Sequence, residues 1–128
     1  MPGESILIVE DEKATGWALA QTLKEDGYEA TVVGSSEDAL KHLSKRNCHL
    51  LVTDVRLPGM NGVDLVKALR KAPPSPPAIV ITAYGTQELK EKAAKAGADA
   101  WFVKPFNVRE LKQKIAALLE SSTLARGR

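Results

Sequence analysis

The chain has 128 residues, 44% of them apolar, with a formal charge of +2 from 18 basic and 16 acidic side chains. That is the length of one domain with a single core, and so even a charge balance makes no case for binding nucleic acid or an anionic membrane surface. No stretch reaches the roughly 18 uninterrupted apolar residues of a membrane helix, the N-terminal MPGES lacks the regions of a signal peptide, and a lone Cys48 forms neither an internal disulfide nor a cysteine-based zinc site.

The first apolar run, Ile6–Val9, reads as a strand. Leu19 and Leu23 then set a helical spacing, with Trp17 expected in the core and Gly27 as the stop. A weaker strand is expected around Tyr28–Val33. Ser35, followed three residues later by Asp38, caps a helix carrying Ala39, Leu40 and Leu43. Cys48 reads as a buried structural thiol at the start of the strand Leu50–Val52. Val63, Val66 and Leu69 mark the third helix, and Pro73-Pro74-Ser75-Pro76-Pro77 a stiff loop after it. The strand Ala78–Ile81 precedes a helix from Thr86 to Ala96 that offers only Leu89 as a large apolar side chain and stops at Gly97. The strand Ala100–Val103 follows. Asn107, with Glu110 three residues on, caps a last helix carrying Leu111, Ile115, Leu118 and Leu119. Strand and helix thus alternate, and strands that are continuous apolar runs are buried on both faces. The expected fold is α/β, one doubly wound parallel sheet of five strands with five helices, in a single domain over residues 1–128 with its core at about 5–121 and a tail at 122–128.

In open parallel sheets, sites form beyond the carboxyl ends of the strands. Those ends carry Glu10 and Asp11, Thr53 and Asp54, Thr82 and Ala83, and Lys104 and Pro105. Each has an ordinary explanation alone, because acids cap helices, threonine favours strands and lysine is usually solvated. Together they place three carboxylates, a hydroxyl and an ammonium on one rim. Crowded carboxylates need protonation or a bound cation. With oxygen ligands and no His or Cys nearby, Mg²⁺ suits them best. Magnesium with few protein ligands points to phosphate chemistry, in which a carboxylate is the nucleophile and metal, ammonium and hydroxyl neutralise the transferring group.

The stretches ILIVEDE, LLVTDVRLPGMNG, IVITAYG and WFVKPF, in this order and spacing, resemble the receiver domains of two-component response regulators from about Ser5 to Ser121. The resemblance implies the flavodoxin-like strand order 2-1-3-4-5. It implies that Asp54 accepts a phosphoryl group from a sensor histidine kinase, and that Mg²⁺ is bound by Asp11, Asp54 and the backbone carbonyl of Arg56, with Glu10 acting through a metal-bound water. Thr82, Lys104 and the Ala83 backbone would hold the phosphoryl oxygens, the Lys104–Pro105 bond would be cis, Pro58 and Gly59 would shape the loop after the phosphorylated strand, and Gly62 would open the third helix. Thr82 and an aromatic residue three before the lysine would form the switch. That aromatic is Trp101 here, where the family usually has tyrosine or phenylalanine, so a moving switch residue and a static packing residue both stand as readings.

The output would pass through the face of helix 4, strand 5 and helix 5 to an output domain or partner, with a phosphorylation-dependent dimer among the outcomes the family allows. A cytoplasmic location, no direct nucleic-acid binding and no membrane contact are expected of the domain. The wording TDVRLPGMNG and ITAYGT is similar to receivers of nitrogen-regulator-type transcription activators. Two other functions compete. A magnesium-dependent phosphohydrolase with an aspartyl nucleophile wants a second acid close behind it, but Val55, Arg56 and Leu57 follow Asp54. A non-phosphorylated binding module has no use for the crowded charges.

Overall fold

Alternation along each strand sorts its side chains onto two faces, and both faces are apolar, so the sheet must be covered twice. The computed structural model describes residues 3–126. Its strands are β1 (Ser5–Val9), β2 (Glu29–Val33), β3 (Leu50–Asp54), β4 (Ala78–Thr82) and β5 (Ala100–Val103). Its helices are α1 (Lys13–Lys24), α2 (Ser36–Lys45), α3 (Gly62–Arg70), α4 (Gln87–Ala96) and α5 (Val108–Arg126). All strand pairs are parallel, in the order β2-β1-β3-β4-β5. Leu7, Val9, Leu51 and Val80 point into one core with Leu65 and Val66 of α3 and Ala93 of α4. Ile6, Ile8, Leu50, Val52, Ile79 and Ile81 point into the other with Leu23 of α1 and Leu111 and Ile115 of α5.

The caps follow the sequence signals. Ser35 Oγ accepts from the Asp38 N–H at 3.0 Å, Asn107 Oδ1 from the Glu110 N–H at 3.1 Å, and Gly97 closes α4 in the left-handed region at φ 106°. Cys48 is buried, and burial pushes its thiol up to about 11, as an inert packing group. Strand β2 is weak in sequence because it is a half-exposed edge.

Two expectations need correction. Trp17 is not in the core: it is 66% exposed. The buried stripe of α1 runs through Gly16, Ala20 and Leu23, and the residue after Gly16 is turned about 100° away from it. The segment 122–126 is not a tail either, since α5 continues to Arg126. No glycine or proline interrupts the chain between Asn107 and Gly127, so nothing local stops the helix earlier. The last two residues of the expected tail lie outside the described residues.

At the end of the sheet remote from the strands' carboxyl ends, Arg70 ties three elements together. Its Nε and Nη2 donate to the Gly97 carbonyl (3.1 and 2.9 Å), its Nη1 to the Pro76 carbonyl (2.6 Å) and Ser75 Oγ (2.9 Å), and its Nη2 to Asp99 Oδ2 (2.9 Å). Asp99 Oδ2 also accepts from the Ala78 N–H at 2.8 Å. The planar fork anchors the C-terminal end of α4, a task for which a lysine lacks the geometry. Arg70→Ala is expected to lower stability by about 2–3 kcal/mol through loss of this partly buried network, and Arg70→Lys to recover little of it. Urea denaturation measures both; a change below about 0.5 kcal/mol for Arg70→Ala, the range of featureless surface substitutions, would show that the fork contributes nothing.

Candidate functional site

Strand register assembles the site. Val9 pairs with Thr53, so Glu10 emerges beside Asp54; Asp54 pairs with Ile81, so Thr82 lies one step beyond; and Thr82 pairs with Val103, which brings Lys104 to the same rim. Glu10, Asp11 and Asp54 each offer a carboxylate oxygen within 4.8 Å of the others. Lys104 Nζ donates to Glu10 Oε1 at 3.1 Å and to Asp54 Oδ2 at 3.0 Å. The side chains of Glu10 and Asp54 are only 8% and 12% exposed, and that of Lys104 29%, while Asp11 is exposed.

Burial raises the Glu10 carboxyl above its usual range, against the lowering effects of the Glu12 N–H and of Lys104. Desolvation works to lower the Lys104 pKa, but its bonds to Asp54 and Glu10 prevail and raise it, so the ammonium is held charged. Three carboxylates against one ammonium leave a surplus of negative charge. The donors are all oxygen and one is open to solvent, which fits a hard divalent cation that keeps several of its waters.

Thr82 is fully buried at the end of β4. Its hydroxyl accepts from the Tyr84 N–H at 3.0 Å and its carbonyl from the Lys104 N–H at 2.7 Å. Ala83 and Arg56 are exposed on the flanking loops. The Lys104–Pro105 bond is cis, and so is Pro73–Pro74. Trp101 is half-buried, packs against the core shared by α3 and α4, and lines a groove of about 340 Å³ with Lys90, Ala94 and Lys114. The structure therefore brings Glu10, Asp11, Asp54 and Lys104 together, with Thr82 on the neighbouring strand and Trp101 away from the carboxylates on the α4–β5–α5 side.

Four features escape a reading of the sequence. Thr53 is fully buried and donates its hydroxyl to the Asp54 carbonyl at 2.9 Å. Gly62 lies so close to Asp54 that a Cβ there would stand 1.9 Å from the Asp54 carbonyl oxygen. The Arg56 guanidinium stacks 4.1 Å from the centre of the Tyr84 ring, bridging the β3–α3 and β4–α4 loops by a cation–π contact. Glu37 accepts the Met60 N–H at 3.1 Å. The Thr53 bond is local, to the carbonyl of the next residue, whereas residue type and spacing carry no signal for the other three, because each depends on two segments meeting in space.

A sequence model described as the response regulator receiver domain matches residues 6–116. The chain belongs to this receiver-domain family. It is 41% identical to the sensory transduction protein RegX3 of Mycolicibacterium smegmatis over 90% of the chain and 50% of that protein. Identity to the two-component response regulator PhoP of Pseudomonas aeruginosa is 39%, over 92% of the chain and 52% of that protein. Among solved structures, a CheY-like receiver domain protein from Methanospirillum hungatei superposes with a TM-score of 0.91 at 31% identity, over 96% of this chain and 98% of that one. The chain thus spans about half the length of the curated relatives it matches. Receiver domains act in two-component signalling, between sensor kinases and output domains, and the acidic group here is of the kind that holds Mg²⁺ in the family. Among the described residues no helix is long and apolar enough to cross a membrane.

Proposed function

We propose that this receiver is a phosphorylation switch in which Asp54 is the phosphoacceptor, and the observation that carries the reading is the Lys104 ammonium bridging Asp54 and Glu10 beside an acidic cluster. Asp11, Asp54 and the Arg56 carbonyl would hold Mg²⁺, with Glu10 reaching it through water. Bound there, the metal supplies positive charge against the phosphoryl oxygens. An Asp54 carboxylate oxygen forms a bond to phosphorus as the bond from phosphorus to the imidazole nitrogen of a sensor kinase's phosphohistidine breaks, and the imidazole leaves with that electron pair. Lys104 exchanges part of its carboxylate pairing for phosphoryl oxygens, and the Ala83 N–H donates to them. No external substrate is turned over, so the domain catalyses only its own modification and its reversal.

Incubation with Mg²⁺ and acetyl phosphate, followed by intact-mass analysis, is expected to show one added phosphoryl group that chelation of the metal prevents. Steady phosphate release from many small phosphoesters would favour a phosphohydrolase instead.

Passing the signal on falls to Thr82. Its hydroxyl accepts from the Tyr84 N–H and keeps its own proton to donate to a phosphoryl oxygen. Because Tyr84 is attached to the same oxygen, that new bond draws on the β4–α4 loop. Helix α4 buries only Ala93 completely, so it belongs to the low-stability end of the molecule and yields to a small bias. A hydrogen bond to a charged group, worth about 1.5–3 kcal/mol, is of that size. The α4–β5–α5 face, with Trp101 in its groove, would then present the change to an output domain, a partner or a second receiver.

Thr82→Ala is expected to accept the phosphoryl group but to lose the change in hydrogen exchange that beryllofluoride causes over Thr86–Ala96. An identical protection change in both proteins would move the relay to Lys104 or the backbone. Trp101 belongs to the moving part if its emission, read in a Trp17→Phe background, responds to beryllofluoride, and to the static packing if it does not.

A further inference from the structure

We infer that Glu37, on α2 and outside the acidic cluster, is a positioning residue for the metal site: its carboxylate braces the β3–α3 loop that carries Arg56. The inference rests on the proposal that the Arg56 carbonyl is a metal ligand.

The loop from Val55 to Asn61 is pinned at its ends. The Gly62 N–H donates to the Val55 carbonyl at 2.8 Å, and the fully buried Ser36 gives its hydroxyl to the Asn61 carbonyl at 3.4 Å. What remains is the tip, Pro58 to Met60, and there Glu37 acts. Its Oε2 accepts from the Met60 N–H at 3.1 Å. Its carboxylate also lies flat on Gly59: a Cβ at that position, where φ is +73°, would stand 2.8 Å from Oε2 and 3.2 Å from Oε1. Glycine therefore provides both the left-handed turn and the seat for the carboxylate.

Glu37 and Ser36 both belong to the first turn of α2, so a helix outside the acidic cluster holds the loop in shape. A carbonyl ligand has no side-chain rotamer to adjust, and its direction is set by the loop alone. Groups that orient ligands without touching the metal tune its affinity. An acid in the first turn of a helix is otherwise explained by the helix dipole, which is why the sequence hides this role.

The test compares the parent protein with Glu37→Ala and Glu37→Gln, using Met60 amide exchange in metal-free protein and calorimetric titration with Mg²⁺. Glu37 is exposed, so both variants are expected to fold. In Glu37→Ala the Met60 amide should exchange about threefold to tenfold faster and the Mg²⁺ Kd should rise by a similar factor, the net effect of one hydrogen bond. Glutamine keeps an acceptor oxygen and should stay within about twofold of the parent in both measurements. Unchanged Met60 exchange in Glu37→Ala overturns the brace. Equal losses of Mg²⁺ affinity in both variants overturn it too, because the effect would then come from net charge. Faster exchange without any loss of Mg²⁺ affinity, when Asp11→Ala does weaken binding, overturns the link between loop and metal. Indifference of Mg²⁺ binding to Asp11→Ala as well would instead sink the reading of the acidic cluster, and the metal-free exchange result would stand apart from it.

Discussion

Asp54→Asn is expected to take up no phosphoryl group from acetyl phosphate at any Mg²⁺ concentration, with labelling at background in intact-mass spectra. The carboxylate is the nucleophile, and a carboxamide oxygen of nearly the same shape is not comparable, because it carries no negative charge to give to phosphorus. The substitution is close to isosteric, so the fold should persist. One of the two acceptors of Lys104 is weakened, while Glu10 Oε1 still holds the ammonium at 3.1 Å. A lost label therefore reports on chemistry and not on collapse of the site, and unchanged far-ultraviolet circular dichroism checks this. Labelling of Asp54→Asn at the parental rate would place the acceptor on another side chain, Asp11 being the first to examine as the most exposed of the three acids.

Gly62→Ala is expected to be the most damaging single-methyl change in the described structure, with a loss of about 3 kcal/mol or more and a fall in Tm of roughly 10 °C. The new Cβ would meet the Asp54 carbonyl oxygen at 1.9 Å, and the Asp54 carbonyl carbon and Thr53 Oγ1 at 2.9 Å. Two of these obstacles are backbone and the third is a fully buried side chain bonded to that same carbonyl. None of them can swing away. The strand end or the start of α3 must shift, and the phosphoacceptor sits on that strand end, so the rate of phosphorylation should fall with the stability.

Gly59→Ala makes the informative contrast. Its nearest neighbours would be the atoms of the exposed Glu37 carboxylate, the end of a flexible side chain, and φ is an unfavourable +73°, so about 1–2 kcal/mol is expected. Thermal denaturation of the two variants side by side measures this. A Gly62→Ala protein as stable as Gly59→Ala would mean that the loop relaxes easily around Asp54.

The sheet and the rim were legible in the residue pattern. Runs such as Ile6–Val9 and Ala78–Ile81 are apolar on both faces, which only a doubly covered parallel sheet satisfies, and such a sheet presents its carboxyl ends together; Glu10, Asp11, Asp54, Thr82 and Lys104 could be named as one site for that reason. Capping was legible too, because Ser35, Asn107 and Gly97 act on backbone groups within four residues of themselves. Trp17 was misplaced because an aromatic residue on an amphipathic helix gives no sign of which side of the stripe it falls on, and the end of α5 because no residue marks an end where the helix simply continues.

Tertiary structure alone decided the rest. The closeness of Gly62 to the Asp54 carbonyl, the reach of Glu37 to Met60, the stack of Arg56 on Tyr84 and the fork of Arg70 over Gly97, Pro76 and Asp99 each join segments whose distance in space bears no relation to their distance along the chain. The physical reason is the range of the forces involved. Propensity, capping and hydrophobic periodicity act between neighbours and leave a pattern in the sequence, whereas a hydrogen bond or a steric contact between distant segments exists only once packing has fixed where their backbones run.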